Sequence, residues 1–245
     1  MPPRSGGPRP LFLCLLLLPM TLAMGLSQPR AGTLEVSPVI TELAAGQTAT
    51  ILSVTNRNPH ATTVQVRSFA WTQLDGRDRL EDTAELLVSP PMFELPPGGA
   101  QTVRLILRGR PRPDGADRNF RLLVDEIPSS AAEGNVRFAL RLSLPVFAHA
   151  VASPGAQVEW RMAEGHLVAR NHGARHARLT ELRLAGAGAI PTPLRASETP
   201  YLLPGAERRW PLDGLRLSAR GAVLTGASQD GPFRVEIAGH AAAAP

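Results

Sequence analysis

The chain has 245 residues, with 26 arginines, no lysine, 21 acidic residues and a formal net charge of +5. With every long cation an arginine, the basic isoelectric point reflects the guanidinium pKa more than a large excess of charge. The arginines are scattered among acids, apart from Arg108, Arg110 and Arg112, whose partners Pro111 and Pro113 mark a solvated loop. A nucleic-acid footprint needs clustering on one face, so no nucleic-acid partner is expected.

Arg4 and Arg9 precede an apolar run, Leu11 to Leu18, that continues through Pro19 to Met24. A basic start, a short apolar stretch and then small residues form the pattern of a secretory signal peptide over residues 1–27. The run is too short and too broken by Pro19 to span a membrane. Cleavage is expected between Met24 and Gln28, after Gly25 or after Ser27. Leu11-Phe12-Leu13-Cys14 carries large residues where a lipid-attachment box needs small ones, so no membrane anchor is expected. Cys14 is the sole cysteine and leaves with the leader, which excludes disulfide and thiolate chemistry. About 215 residues remain, enough for two ordinary domains.

From Thr33 onward the period is two. Leu34, Val36 and Ile40 open an apolar stretch. Ala49, Ile51 and Val54, then Val64, Val66, Phe69 and Trp71, form β-rich stretches parted by the turn-like Asn56-Arg57-Asn58-Pro59-His60. Leu86-Leu87-Val88 leads into Ser89-Pro90-Pro91, and Pro96-Pro97-Gly98-Gly99 is a turn. Val103-Leu105-Leu107, Phe120-Leu122-Val124 and Val136-Phe138-Leu140-Leu142-Leu144 alternate with other residues. About seven strands with closely spaced turns predict an immunoglobulin-like sandwich over residues 33–151. Val151 to Gly155 reads as a linker. Beyond it, weaker strands at Val158–Trp160, His166–Ala169, Ala177–Leu184, Arg209–Leu212, Ala222–Leu224 and Phe233–Ile237 predict a second, smaller sandwich over residues 155–240. The fold class is all-β.

Chemistry-bearing clusters are sparse. His166, His172 and His176 lie close in sequence, but Asn171-His172-Gly173 reads as a solvated hairpin tip rather than a metal site. Asp125 and Glu126 are adjacent on a strand and therefore point to opposite faces. No phosphate loop, serine elbow or dinucleotide fingerprint is present. No catalytic residue, cofactor or metal is predicted.

The most informative stretch runs from Val136 to Leu144. Val136, Phe138, Leu140, Leu142 and Leu144 hold one face, with Arg137 and Arg141 on the other. Alone, this pattern describes a half-buried strand. At a sheet edge, its main chain could pair with another chain while its apolar row fills a groove in that partner.

Several motifs together make the chain similar to a known family, the periplasmic pilus chaperones of the chaperone–usher pathway. They are Val54-Thr55-Asn56, Ser89-Pro90-Pro91, Leu95-Pro96-Pro97-Gly98, Gln101 to Leu105 and Phe120 to Pro128, followed by the alternating strand. Phe69-Ala70-Trp71-Thr72-Gln73 and Asp75-Gly76 resemble the archaic branch most. The resemblance implies two sandwiches set at an angle and a pilus subunit held between them. It also implies a donor strand, here Val136 to Leu144, lent to an incomplete subunit fold, delivery to an outer-membrane usher, and self-association when unloaded. Better-known branches grip the subunit's terminal carboxylate with two basic residues, where this chain has Ile40 and Pro145. Arg67 and Arg104 are the candidate replacements, because guanidinium binds carboxylate bidentately. A buried network at the domain junction would map to Arg104 and Glu126. The competing reading is a secreted two-domain adhesin or carbohydrate-binding module. Sugar sites present exposed aromatics, and this chain has one tyrosine, Tyr201, with Trp71, Trp160 and Trp210 all in strand-like contexts.

Overall fold

The computed structural model describes residues 34–109, 115–127, 139–150, 155–186, 189–195, 199–213 and 221–238, and every regular element in them is a strand. Ten strands build the first sandwich: β1 (Leu34–Ser37), β2 (Thr41–Leu43), β3 (Ala49–Asn56), β4 (Thr62–Leu74), β5 (Arg77–Asp82), β6 (Leu86–Ser89), β7 (Met92–Leu95), β8 (Ala100–Leu107), β9 (Arg118–Ile127) and β10 (Arg141–Ala148). One sheet has the order β1-β3-β8-β6. The facing sheet has the order β2-β10-β9-β4-β5, with β7 also on β4. Between them lies a core that includes Leu52, Val54, Val64, Val66, Val103, Leu105, Leu122 and Val124, all essentially without solvent contact.

Three of these strands lack a clear alternating signal. Val39 and its neighbours interrupt the first apolar stretch, so it divides into β1 and β2, which join opposite sheets. β5 reads Arg-Asp-Arg-Leu-Glu-Asp and is mostly exposed. It forms because Asp75 and Gly76, both at positive φ (52° and 74°), fold it back on β4. This is turn chemistry that glycine permits freely and aspartate tolerates.

The second sandwich contains β11 (Val158–Ala163), β12 (His166–Asn171), β13 (Ala177–Arg178), β14 (Thr180–Gly186), β15 (Thr192–Pro193), β16 (Tyr201–Leu202), β17 (Glu207–Pro211), β18 (Ala222–Ser228) and β19 (Gly231–Ile237). Its sheets have the orders β11-β12-β17, β13-β16 and β15-β14-β18-β19. The stretch expected as one strand, Ala177 to Leu184, is two strands. Glu181 sits at φ 54° and the β14–β18 register shifts between Thr180 and Arg183.

Both sandwiches close one corner in the same way. Buried Asn56 ends β3 and donates from Nδ2 to the carbonyls of His60, Leu95 and Pro96 (2.8–3.2 Å). Its own N–H reaches Gly99 O, and its carbonyl accepts from Gly98 N. Asn171 ends β12 and donates to Arg175 O (2.7 Å) and Leu202 O (3.1 Å). Its N–H reaches Ala206 O, and its carbonyl accepts from Gly205 N. A buried amide is costly unless its donors and acceptors are met, so each asparagine ties a strand end to a Pro–Gly turn.

The sandwiches meet on the outer face of the β2-β10-β9-β4-β5 sheet. Trp71 of β4 and Phe147 of β10 belong to the second core, packed with Tyr201, Leu202 and Leu167. Trp71 meets Tyr201 edge-on (5.8 Å), and His176 stacks on Phe147 (3.5 Å between ring centroids). Gln73 extends the contact. Its Nε2 donates to Tyr201 O and its Oε1 accepts from Leu203 N, both at 2.9 Å. The result is two immunoglobulin-like sandwiches set at an angle.

Candidate functional site

β10 pairs along its whole length with β9, from Arg141 opposite Asp125 to Ala148 opposite Arg118. On its other side, among the described residues, it meets only β2, and only at Val146, Phe147 and Ala148. Among the described residues, the edge from Ala139 to Pro145 is therefore open. Two hydrogen bonds fix which groups face it. Glu126 N donates to Leu140 O, so even-numbered residues turn their main chain toward β9. His149 N donates to Leu43 O, so odd-numbered residues turn theirs toward β2 and the open edge. The edge thus presents the N–H groups of Arg141 and Ser143, while Pro145 has none to give.

Side chains follow the same period. Leu140, Leu142 and Leu144 are half-buried and pack against the first core, whereas Val146 and Ala148, next along the row, are fully inside it. The apolar row continues from sealed core into a partly exposed rim. Val136 and Phe138, expected at the far end of this strand, lie outside the described residues.

The odd-numbered face of β10 continues across β9 and β4 as the wall beyond the domain contact. Asp125 of β9 lies between two guanidiniums: Arg67 Nη2 reaches its Oδ2 at 2.7 Å, and Arg141 Nε donates to its Oδ1. Burial opposes the carboxylate charge, but the hydrogen bonds from Arg141 and then Arg67 outweigh it and hold Asp125 below the usual range. At the base of this wall is buried Arg121, opposite Pro145. Its guanidinium covers the Trp71 ring (3.8 Å), donates to Thr199 Oγ1 (3.0 Å) and pairs with Asp78 (3.6 Å).

The residues expected at the site are only partly brought together. Arg67 is on the open wall. Arg104 is not: it is exposed on the outer face of the opposite sheet, between Ile51 and Ser89. Glu126 accepts from Thr62 Oγ1 (3.0 Å) and Asn58 Nδ2 (3.4 Å) at the end of β9 farthest from the domain contact. Arg104 and Glu126 thus do not meet, and the expected junction network between them is corrected. The reason is topology: Arg104 is on β8 of one sheet and Glu126 on β9 of the other.

The junction is built instead from Trp71, Gln73, Asp78, Arg121, Phe147, His149 and Asp117. Asp117 has its side chain fully buried, accepting from Ala150 N (3.0 Å) and facing His149 Nδ1 (2.6 Å). Sequence reasoning missed these residues, because an arginine in an alternating strand looks like a solvated face.

The three histidines separate. His166 Nδ1 meets Glu164 O (2.8 Å) and His172 pairs with Glu159 (2.8 Å), while His176 is buried against Phe147 rather than solvated in a turn. Among the described residues no three His, Cys, Asp or Glu side chains gather as a metal site would. Trp71, Trp210 and Tyr201 are buried, and Trp160 packs against Trp210 and Phe233, so these aromatics form core rather than an exposed sugar platform.

Two angled sandwiches with an open donor-type edge on the first define the class of the pilus chaperones. Residues 33–150 match the family described as the pili and flagellar-assembly chaperone, PapD N-terminal domain, which assigns the first sandwich to this chaperone family. Similar solved structures carry the same fold across both sandwiches. One is from the CsuC–CsuE chaperone–tip adhesion subunit pre-assembly complex of the archaic Csu pili of Acinetobacter baumannii. It shows 24% identity and a TM-score of 0.63, covering 84% of this chain and 98% of that one. Another is from the Salmonella enterica SafA pilin–SafB chaperone complex (18%, TM-score 0.64, covering 83% and 96%). A third is the E. coli chaperone DraB (19%, TM-score 0.62, covering 84% and 97%). No curated protein sequence matches the chain.

Proposed function

We propose that the chain is a periplasmic chaperone that holds pilus subunits by donor-strand complementation and hands them to an outer-membrane usher. The observation that carries this reading is the open edge of β10 from Ala139 to Pro145, with Leu140, Leu142 and Leu144 only half-buried beside it. An incomplete subunit exposes an apolar groove and bare strand edges, both aggregation hazards. The open edge supplies main-chain partners and its apolar row supplies filling. The donor strand expected from the sequence is Val136, Phe138, Leu140, Leu142 and Leu144, of which the last three lie in the described residues.

Motifs around Phe69 to Gly76 favour the archaic branch. Removal of the leader between Met24 and Gln28 would release the mature chain. An unloaded edge of this kind would also favour self-association. Of the arginines considered for gripping the subunit's terminal carboxylate, Arg67 faces the open wall and is retained, and Arg104 is not.

The test is periplasmic co-expression with a pilus subunit from the same host, comparing wild type with Leu142→Asp. The aspartate would place an unpaired carboxylate in the subunit groove. The expected result is loss of subunit accumulation, with the variant recovered folded. A folded Leu142→Asp chain that still accumulates subunit would overturn the donor-strand reading.

A further inference from the structure

Arg141 stands where β10 is open, and its side chain is 63% exposed. It contacts Asp125 through Nε alone, while the second oxygen of Asp125 is taken by Arg67. Two guanidiniums on one carboxylate leave the group with one uncompensated positive charge. Among the described residues, no acceptor is found for the two Nη groups of Arg141. Free Nη groups side by side match the two oxygens of a carboxylate. Arg141 is also an odd-numbered residue, so its main-chain N–H faces the open edge. A strand pairing there would bring one of its own side chains beside Arg141 on the same face, where opposite charges attract across strands.

We propose that Arg141, steered by Asp125, is a specificity residue that reads an acidic side chain on the subunit strand paired alongside β10. The inference rests on the subunit-binding reading above and adds the chemistry of the residue met there. Asp125 acts as a positioning residue. It fixes the Arg141 rotamer before the partner arrives, so less side-chain freedom is lost on binding. The leucine row on the other face supplies affinity that does not depend on charge, and Arg141 adds the selection.

The test uses the subunit that co-purifies with the wild-type chain from its native host, identified by mass spectrometry. Its retention by wild type, Arg141→Gln and Arg141→Glu is measured over a range of salt. Arg141→Gln should weaken binding about tenfold, in line with loss of a charge-assisted contact, and should flatten the salt dependence. Arg141→Glu should bind worse still. A subunit with one acidic strand residue changed to arginine should restore binding to Arg141→Glu and lose it to wild type.

The thermal melt of free Arg141→Gln should stay close to wild type, because Arg67 still pairs with Asp125. Arg141→Glu, which sets a second carboxylate beside Asp125, should melt somewhat lower. Equal retention by all three chains, or no restoring partner among the subunit's acidic residues, would overturn the proposal while leaving the chaperone reading intact. So would Arg141 dependence that disappears when only the subunit's last residues are trimmed, since the carboxylate would then be the chain terminus. If the wild-type chain retains no subunit, the chaperone reading itself falls.

Discussion

One strand, β10, has two fates. From Val146 to Ala148 it is flanked on both sides, its even residues lie in the first core and Phe147 lies in the second. From Arg141 to Pro145 it has the same alternation and the same neighbour β9, yet among the described residues its other side is bare and its leucines are half-exposed. The difference is the length of β2, which is only three residues. Apolar alternation makes a strand, but whether that strand is core or interface depends on what lies across its second edge.

The sharpest break in the comparison is in the sealed half. Phe147→Ala would remove a fully buried ring packed against Trp71, Tyr201 and His176. The expected cost is about 3–5 kcal/mol, read by denaturant unfolding. A loss under about 1 kcal/mol would show that the junction is not a packed core.

The main chain gives a finer test. Leu142→Pro would delete an N–H turned toward β9, and Ser143→Pro one turned toward the open edge. The first is expected to destabilise the free protein by about 1–3 kcal/mol, the cost of losing a ladder hydrogen bond and leaving its acceptor unpaired. The second should leave its melt near wild type, as proline on an edge strand can, while cutting subunit retention severely. If Ser143→Pro unfolds the protein as much as Leu142→Pro does, the edge is not open in solution.

The smallest expected effect is a pH dependence beneath the sealed half. Burial favours neutral His176 and moves it down to about 4, against an ordinary value of about 6.5. Its contribution is complete above about pH 6.5 and is lost as pH falls toward 4, by about 3 kcal/mol at most. His149 has the opposite sign. Its hydrogen bond to Asp117 outweighs burial and raises it, so its contribution is full below about pH 6.5 and fades as pH rises through the raised value. Glu42 and Arg175 also face this pair. The thermal midpoint should therefore drop between pH 6.5 and 4, and His176→Phe, which keeps the stack on Phe147, should reduce that drop. A profile unchanged by His176→Phe would assign the acid sensitivity to other groups.

Much of this was legible in the sequence. Period-two alternation located β8, β9 and the Arg141–Leu144 part of β10, which runs on to Ala148, and the prolines and glycines after Val88 and Leu95 located turns. One further signal was present but unread. In β4 the apolar positions change phase, from Val64 and Val66 to Phe69 and Trp71. A strand that switches phase buries first one face and then the other, and here the second sandwich covers the second face. Phe147, out of phase with Leu144 and Val146, says the same of β10. What could not be read is register. The meetings of Arg121 with Trp71, of His149 with Asp117 and of His176 with Phe147 join residues tens of positions apart, and no local pattern records them. Sheet membership is equally invisible locally, and it separates Arg104 from Glu126, whose strands β8 and β9 lie in different sheets.

Pro145 adds a constraint of length. Among the described residues, the open edge from Ala139 to Pro145 covers about seven residues, or roughly 20 Å at strand spacing. It ends where a proline withholds its donor and β2 begins. A visiting strand can lengthen its ladder toward the junction only as far as that stop. Because strand faces alternate, it cannot slide by one residue without turning its apolar side chains outward. The edge therefore works as a ruler with a fixed zero, counting partner residues in pairs from Pro145.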